Sequence, residues 1–421
     1  NTTGGVAFSF GDVTATSATT DAVELTGNQG GASIVFNGDL DLNTANGAGL
    51  VATDTGTVDL AAAGSNTIAI DATGGAAVDL ANVSVGTMTF DSLASSGAAT
   101  AGIGLDTVTG TFTVNGATTT LSGSAGAGID IQGGTADVAI SSGGSIDIAQ
   151  RAAGGVRIDG TAGSVEFGTV DIQERAGGSA DGVLIRDTGA AVDIDGVTVA
   201  DSGGRGIAIE GAGGGVTLGG VTVGNQSPVA GRGIAITGDN SGTLALGGGT
   251  VSANDTAFRV NGGSATVTYG GDLAQVAGRL VSINGPTGGS VELTGGALSN
   301  TNGSGIAVTN SAADVTISGG SVVLGTPAAA QDSQALRFSA NTAPVSIDGL
   351  SIETDPGVPA IDIDGGSGAI TLSGSLDQPG GGAAVDIDTG GRDVDLGGLT
   401  ITNSGTAAAP VVSVVNVSGG R

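Results

Sequence analysis

The chain has 421 residues, 84 of them Gly, with no Cys, His or Trp, and its 40 acidic residues against 11 basic ones, all Arg, give a net charge of −29. Without Cys there is no disulfide, thiolate nucleophile or thiolate-bound metal, and without His the commonest general base and metal ligand is missing. The acidic field argues against nucleic acid and anionic lipid as partners, and no apolar run approaches the about 18 residues of a membrane-spanning helix. The Gly residues have no period of three and aliphatics stay abundant between them, so a packed aliphatic core is expected rather than collagen or disorder. The chain opens on Asn1 with no charged-then-apolar leader, which leads to the expectation that a targeting segment has been removed or was never included.

In chain order, the opening stretch places Val6, Phe8 and Phe10 on one face of a first strand or a cap. Residues 1–100 then carry strand cores at Val23/Leu25, Ile34/Phe36, Leu40/Leu42, Val58/Leu60, Ile68/Ile70 and Val78/Leu80, at wandering intervals. They read as less regular coils of the solenoid that follows.

From 129 to 417 the pattern is regular. Ile129–Ile148 holds three short strands, Ile129/Ile131, Val138/Ile140 and Ile146/Ile148, separated by Gly-rich turns. Each puts one apolar row inward and one row to solvent. The first strand recurs at Val156, Val183, Ile207, Ile234, Phe258, Val281, Ile306, Leu336, Ile361, Val385 and Val412, at intervals of 23 to 30 residues. The second follows in eleven coils, from Val138/Ile140 to Val394/Leu396. The third fades to a single apolar residue near Leu298 and Leu376, so that side is expected to be looser. Two residues past the inner residue that closes the first strand stand Gly133, Gly160, Gly211, Gly238, Gly262, Gly285 and Gly365, with Asp187 and Asn310 in the same column. These residue types tolerate positive φ, which predicts a sharp corner there. Long loops precede the first strand at 225–231 and 325–332, the edge where a binding face would gather its loops.

A single coil cannot bury its apolar row alone, so the expected fold is all-β: one continuous, single-stranded parallel β-helix over 1–421. About 16 coils of roughly 25 residues would make a rod on the order of 80 Å long. Left-handed forms usually show a strict hexapeptide period, absent here, so the right hand is expected. A β-sandwich is the competing fold, but three strands and a Gly corner repeat through eleven coils and no aromatic anchors a sandwich core.

Units such as GIDIQGGTADVAISSGGSIDI (128–148) and AIDIDGGSGAITLSG (360–374) resemble the parallel β-helix stalks of bacterial surface proteins, notably autotransporter passengers and large adhesins. The resemblance covers nearly the whole chain, in pattern and composition. It implies an extracellular or cell-surface protein with a structural or adhesive role. The family's secretion signal and terminal membrane barrel are not in this sequence, so the resemblance implies a processed passenger or another secreted β-helix.

Four groups of residues are candidates for chemistry. Glu166 and Asp193 share an outward position of the second strand one coil apart, the arrangement of an acid/base pair in polysaccharide-cleaving β-helices. Two solvated acids, with Arg157, Arg175 and Arg186 as counter-charges, are the simpler reading. A lyase would need a basic residue beside an acidic cluster, and Arg151, Arg157, Arg175 and Arg186 mark the only such region, with Arg157 following Asp130 in the outward column of the first strand. No aromatic sugar platform accompanies it, so no enzymatic role is expected. Calcium is the expected small ligand if there is one, on the D-x-D pairs Asp193/Asp195, Asp362/Asp364, Asp386/Asp388 and Asp393/Asp395 beside flexible Gly. Binary patterning alone also produces such pairs, and no cofactor is required. The outward Thr217, Thr268, Thr316 and Thr371 are broken by Ala245, Glu292 and Ser346, so no flat Thr array forms.

The function expected from these observations is a secreted or surface scaffold that self-associates end to end, with a host surface or extracellular polysaccharide as further partners. A polysaccharide-binding or polysaccharide-cleaving β-helix is the alternative.

Overall fold

A computed structural model describes residues 5–28, 31–60, 66–149, 154–173, 179–275, 278–300, 303–325, 334–354, 359–378, 383–388, 391–403 and 410–415. The expected Arg151 and Arg175, the loop at 326–333 and the last strand residues 416–417 lie outside these. Among the described residues every element is a strand and every pairing is parallel, making a β-solenoid of about 14 turns with roughly 25 residues per turn. Among the described residues no helix is long and apolar enough to cross a membrane. The chain divides into two compact units, Asn1–Gly204 with Ala212–Gly219, and Arg205–Gly211 with Gly220–Arg421.

In unit 1 the first-strand row consists of Val23–Thr26, Leu50–Thr53, Val78–Ala81, Ile103–Asp106, Ile129–Gln132, Val156–Asp159 and Val183–Arg186. Neighbours pair residue for residue, so Ile129/Ile131 stack on Val156/Ile158 and these on Val183/Ile185. All six side chains are buried. Leu50–Thr53 was not legible in the sequence because Val51, its outward residue, is as apolar as the inward Leu50 and Ala52. The second and third strands share the other sheet. In Asp137–Ala149, Val165–Gln173 and Val192–Val199 they run together as one strand with a bend, rather than as two strands split by a loop. Ala7–Phe10 is a strand of this sheet, paired with Ser33–Phe36, and Phe10 stacks on Phe36 at 5.2 Å.

In unit 2 the first-strand row runs through Ile207–Glu210, Ile234–Thr237, Thr256–Asn261, Arg279–Asn284, Ile306–Thr309, Leu336–Ser339, Ile361–Asp364, Val385–Asp388 and Val412–Val415. It keeps the same in-register pairing. Each fully buried aliphatic contributes about 1.5–3 kcal/mol. Ladders of them replace the aromatic core that this sequence lacks.

The predicted corner is present throughout. The residue after each first strand has positive φ at Gly27, Asp54, Asn82, Thr107, Gly133, Gly160, Asp187, Gly211, Gly238, Gly262, Gly285, Asn310, Ala340 and Gly365, all between 47° and 81°. Ala340 and Thr107 hold this conformation without being residue types that favour it, so the stacked neighbours impose it.

The third-strand side is not looser. Leu298–Asn300 and the end of Ile370–Gln378 are ordinary strands whose second inward position is polar: Asn300 and Gln378 are fully buried. Asn300 Nδ2 donates to the carbonyls of Gly278 (3.1 Å) and Ser304 (2.7 Å), and Gln275 Nε2, one turn earlier, donates to that of Asp255 (3.2 Å). These amides satisfy loop carbonyls that an aliphatic would leave unpaired, which is why the hydrophobic pattern fades there.

A Cβ at Gly160 would meet only the Gly133 backbone nitrogen, at an ordinary 3.9 Å, so Gly160→Ala tests φ rather than a clash; it is expected to cost about 1 kcal/mol in chemical denaturation, while Ala340→Gly gains up to about 1 kcal/mol. Asn300→Leu, although it restores the apolar pattern, is expected to lower stability by ~2–4 kcal/mol in the same measurement, because two carbonyls lose their donor.

Candidate ligand-binding face

Residue-for-residue stacking turns each outward position into a column, and the described arginines concentrate on the first-strand row, at three different positions of its register. Arg157, Arg186, Arg259, Arg279 and Arg337 lie in first strands, and Arg205 and Arg232 stand two residues before one. Arg392 alone among them lies elsewhere, 3% exposed in a later corner.

On unit 1, Arg157 pairs in register with Asp130, its Nη1 3.8 Å from Asp130 Oδ2, while its Nη2 donates to Asp159 Oδ2 at 2.7 Å. Arg186 donates to the same carboxylate through Nε (3.1 Å) and Nη2. The hydrogen bond from Arg186, reinforced by Arg157, holds Asp159 below the usual carboxylate range against the opposing effect of burial. Asp130 goes the other way: burial pushes it up and outweighs Arg157 and the hydrogen bond from Gln132 Nε2 (2.9 Å). Its Oδ1 is buried without a hydrogen-bond partner.

The preceding positions of that column are Gly104 and Asp79. Gly104 has no side chain, and a pit of about 250 Å³ opens there, lined by Asp79, Thr100, Asp106, Asp130 and Gln132 among others. A second pit of about 240 Å³ shares Asp79 and Thr100 and adds Asp21. Burial first, then Asp21 and Asp106, raises the pKa of Asp79. Aligning the outward column of the first strand would have found this pit in the sequence, as Asp79, Gly104, Asp130 and Arg157 in succession.

On unit 2 the corresponding column runs Ala235, Arg259, Ser282, Ala307, Arg337, Asp362 and Asp386. Asp362/Asp364 and Asp386/Asp388 form a two-by-two grid of carboxylates, and Arg337 Nε lies 3.8 Å from Asp362 Oδ2. Burial, with Asp364 and Asp386, raises Asp362 despite Arg337.

Glu166 and Asp193 are in direct register as expected, both exposed on the second-strand row between Ala139 and Thr217. The arginines expected beside them, Arg157 and Arg186, instead bind Asp159 in the other sheet. Asp195 extends the same row, and Asp393 and Asp395 are exposed on the second-strand row of unit 2, where Asp395 Oδ1 accepts the Gly397 N–H at 2.8 Å. Among the described residues no three carboxylates are grouped to hold a metal ion. No family model, curated protein or solved structure matches the chain.

Asp159 and Asp79 have opposite linkage to pH. The depressed pKa of Asp159 gives stability that is present above its unfolded pKa near 4 and is lost as pH falls through the folded value. Asp159→Asn is therefore expected to cost about 1 kcal/mol at pH 7 and little at the acid end of a pH series of melting curves. The raised pKa of Asp79 means the fold favours its protonated form and loses stability as pH rises. Asp79→Asn is expected to stabilise by up to about 1 kcal/mol at pH 7, the gain vanishing at acid pH.

Proposed function

We propose that this chain is a structural and adhesive scaffold working outside the cell, on a bacterial surface or in its surroundings, and that copies stack end to end into filaments. The observation that supports stacking is the state of the two outermost described coils. Val6, Phe8 and Phe10 are 41–48% exposed and Val412, Val414 and Val415 are 41–53% exposed, in strands that pair on one side only. Within each unit, the inward aliphatics of the described inner turns are buried. An unpaired parallel edge backed by exposed apolar residues is a template for another coil of the same pattern. The net charge of −29 opposes close approach of copies, so screening by salt or calcium favours assembly. In this reading the protein is not an enzyme, and the acidic outward columns keep the scaffold solvated.

Electron microscopy and sedimentation over a concentration series, with and without calcium, test it. Filaments that lengthen with concentration are expected, and Phe8→Lys or Val414→Lys is expected to abolish them. Short monodisperse particles under every condition would sink the reading.

A polysaccharide-cleaving role is the second reading, favoured by the in-register Glu166 and Asp193. Glycan-degradation assays comparing the chain with Glu166→Gln and Asp193→Asn decide it, and activity absent or unchanged in the variants counts against it.

A further inference from the structure

The backbone hydrogen bonds give each turn a direction, because inward residues bond forward and outward residues bond back. Val13 N–H donates to the Asp39 carbonyl of the following turn (2.8 Å), Val23 to Gly49 (3.0 Å), Val138 to Ser164 (2.8 Å) and Val385 to Val411 (3.1 Å). In the opposite sense, Asn37 N–H donates back to the Phe10 carbonyl and Asn115 N–H to that of Phe90, both at 2.8 Å. The first and last described turns pair on one side only, so they offer complementary phases of this alternation. In Val394–Asn403 and Val412–Val415 the open edge belongs to inward residues, Val394, Val412 and Val414. In Ala7–Phe10 and Val23–Thr26 it belongs to outward residues, Ser9 and Glu24. Set on each other, the two edges continue the interior ladder without a change of phase.

The side chains of the two ends fit in the same sense. Phe8 and Phe10 are the inward residues of the first strand, in register with Ile34 and Phe36. Their equivalents at the other end are Val394, in register with Ile370, and Leu396. Val23 and Leu25 stand in the same relation to Val412 and Val414. Laying one turn on the other covers Phe8, Phe10, Val412 and Val414, which are 41–53% exposed. On the outside it places Ser9 opposite Asp395 and Glu24 opposite Ser413. No two like charges face each other in these two rows, although the chain carries a net charge of −29.

A two-fold joint, head to head or tail to tail, lacks this match. It reverses strand direction, whereas every pairing among the described residues is parallel. It also lets only one of the three strand rows meet its own counterpart, and the other two must pair across rows of unequal length, such as Ala7–Phe10 with Val13–Ala18.

We propose that the end-to-end stacking, on which this reading rests, is head to tail: the first turn of one copy sits parallel and in register on the last turn of the next, Phe8 on Val394, Phe10 on Leu396, Val23 on Val412 and Leu25 on Val414. Such a contact is heterologous and leaves each assembly one free end of each kind, so it does not close at a dimer.

Mixing two variants tests the polarity. Phe8→Lys disables the first turn and Val414→Lys the last; both side chains are exposed, so circular dichroism and melting are expected to match the parent chain. By sedimentation velocity, under conditions where the parent chain assembles, each variant alone is expected to stay monomeric and their equimolar mixture to form 1:1 dimers. If the parent assembles but either variant dimerises on its own, or the mixture stays monomeric, the polarity is overturned and stacking is not. A parent chain that never assembles overturns both. Ser9→Asp, which sets a carboxylate opposite Asp395, tests the register and is expected to raise the concentration needed for assembly about threefold. Adding Asp395→Asn, which keeps an acceptor for the Gly397 N–H, is expected to restore it, and adding the distant Asp314→Asn is expected not to. No effect of Ser9→Asp, or equal rescue by both, overturns the register.

Discussion

The hydrogen-bonded, in-register stacking of one turn on the next is the constraint from which the other features follow. It continues through the corners: Ile129 N–H donates to the Gly155 carbonyl (3.1 Å), Gly133 N–H to that of Asp159 (2.8 Å), and Gly160 N–H to that of Arg186 (2.9 Å). A corner whose own N–H groups belong to the ladder has little freedom in φ. This explains why the left-handed conformation is kept at Ala340 and Thr107 as strictly as at the glycines. Stacking also makes the core cumulative, since an aliphatic in one turn is covered by those above and below it.

The same constraint decides how charge is distributed. Outward residues of successive turns stand ~4.8 Å apart, so every charge has two fixed neighbours, and their signs set its behaviour. Asp159, with Arg186 on the next turn and Arg157 two residues before it on the same strand, has its pKa held down. Asp79, with Gly104 and then Asp130 beside it and Asp21 and Asp106 near, is pushed toward protonation. The acidic composition gives no hint of this contrast between two aspartates of one row.

Scaffold and binding face are compatible roles in such a fold. The inward ladders and corners are nearly invariant from turn to turn and hold the fold, whereas the outward columns vary. Unit 1 shows this variation as an acidic pit over Gly104, unit 2 as Arg259, Ser282, Ala307 and Arg337 in succession beside an Asn/Thr ladder. Neither involves the Glu166/Asp193 pair, whose in-register neighbours on the second-strand row are Ala139 and Thr217.

The sequence by itself determined the parallel coil, its period and the corner after the first strand, because a two-residue apolar alternation and residues tolerant of positive φ are local signals that repetition amplifies. It also placed Glu166 on Asp193 and Asp362 on Asp386 correctly, since both follow from the period. It misjudged the third strand, where buried Asn300 and Gln378 break the apolar pattern, Asn300 while serving loop carbonyls that only the folded chain brings near. It overlooked Leu50–Thr53, whose outward Val51 hides the alternation. Only the tertiary structure decided which charges meet. The loop that brings Arg232 to Asp255 and the orphaned Oδ1 of Asp130 or Nε of Arg259 depend on side chains packed from neighbouring turns, which no spacing along the chain encodes.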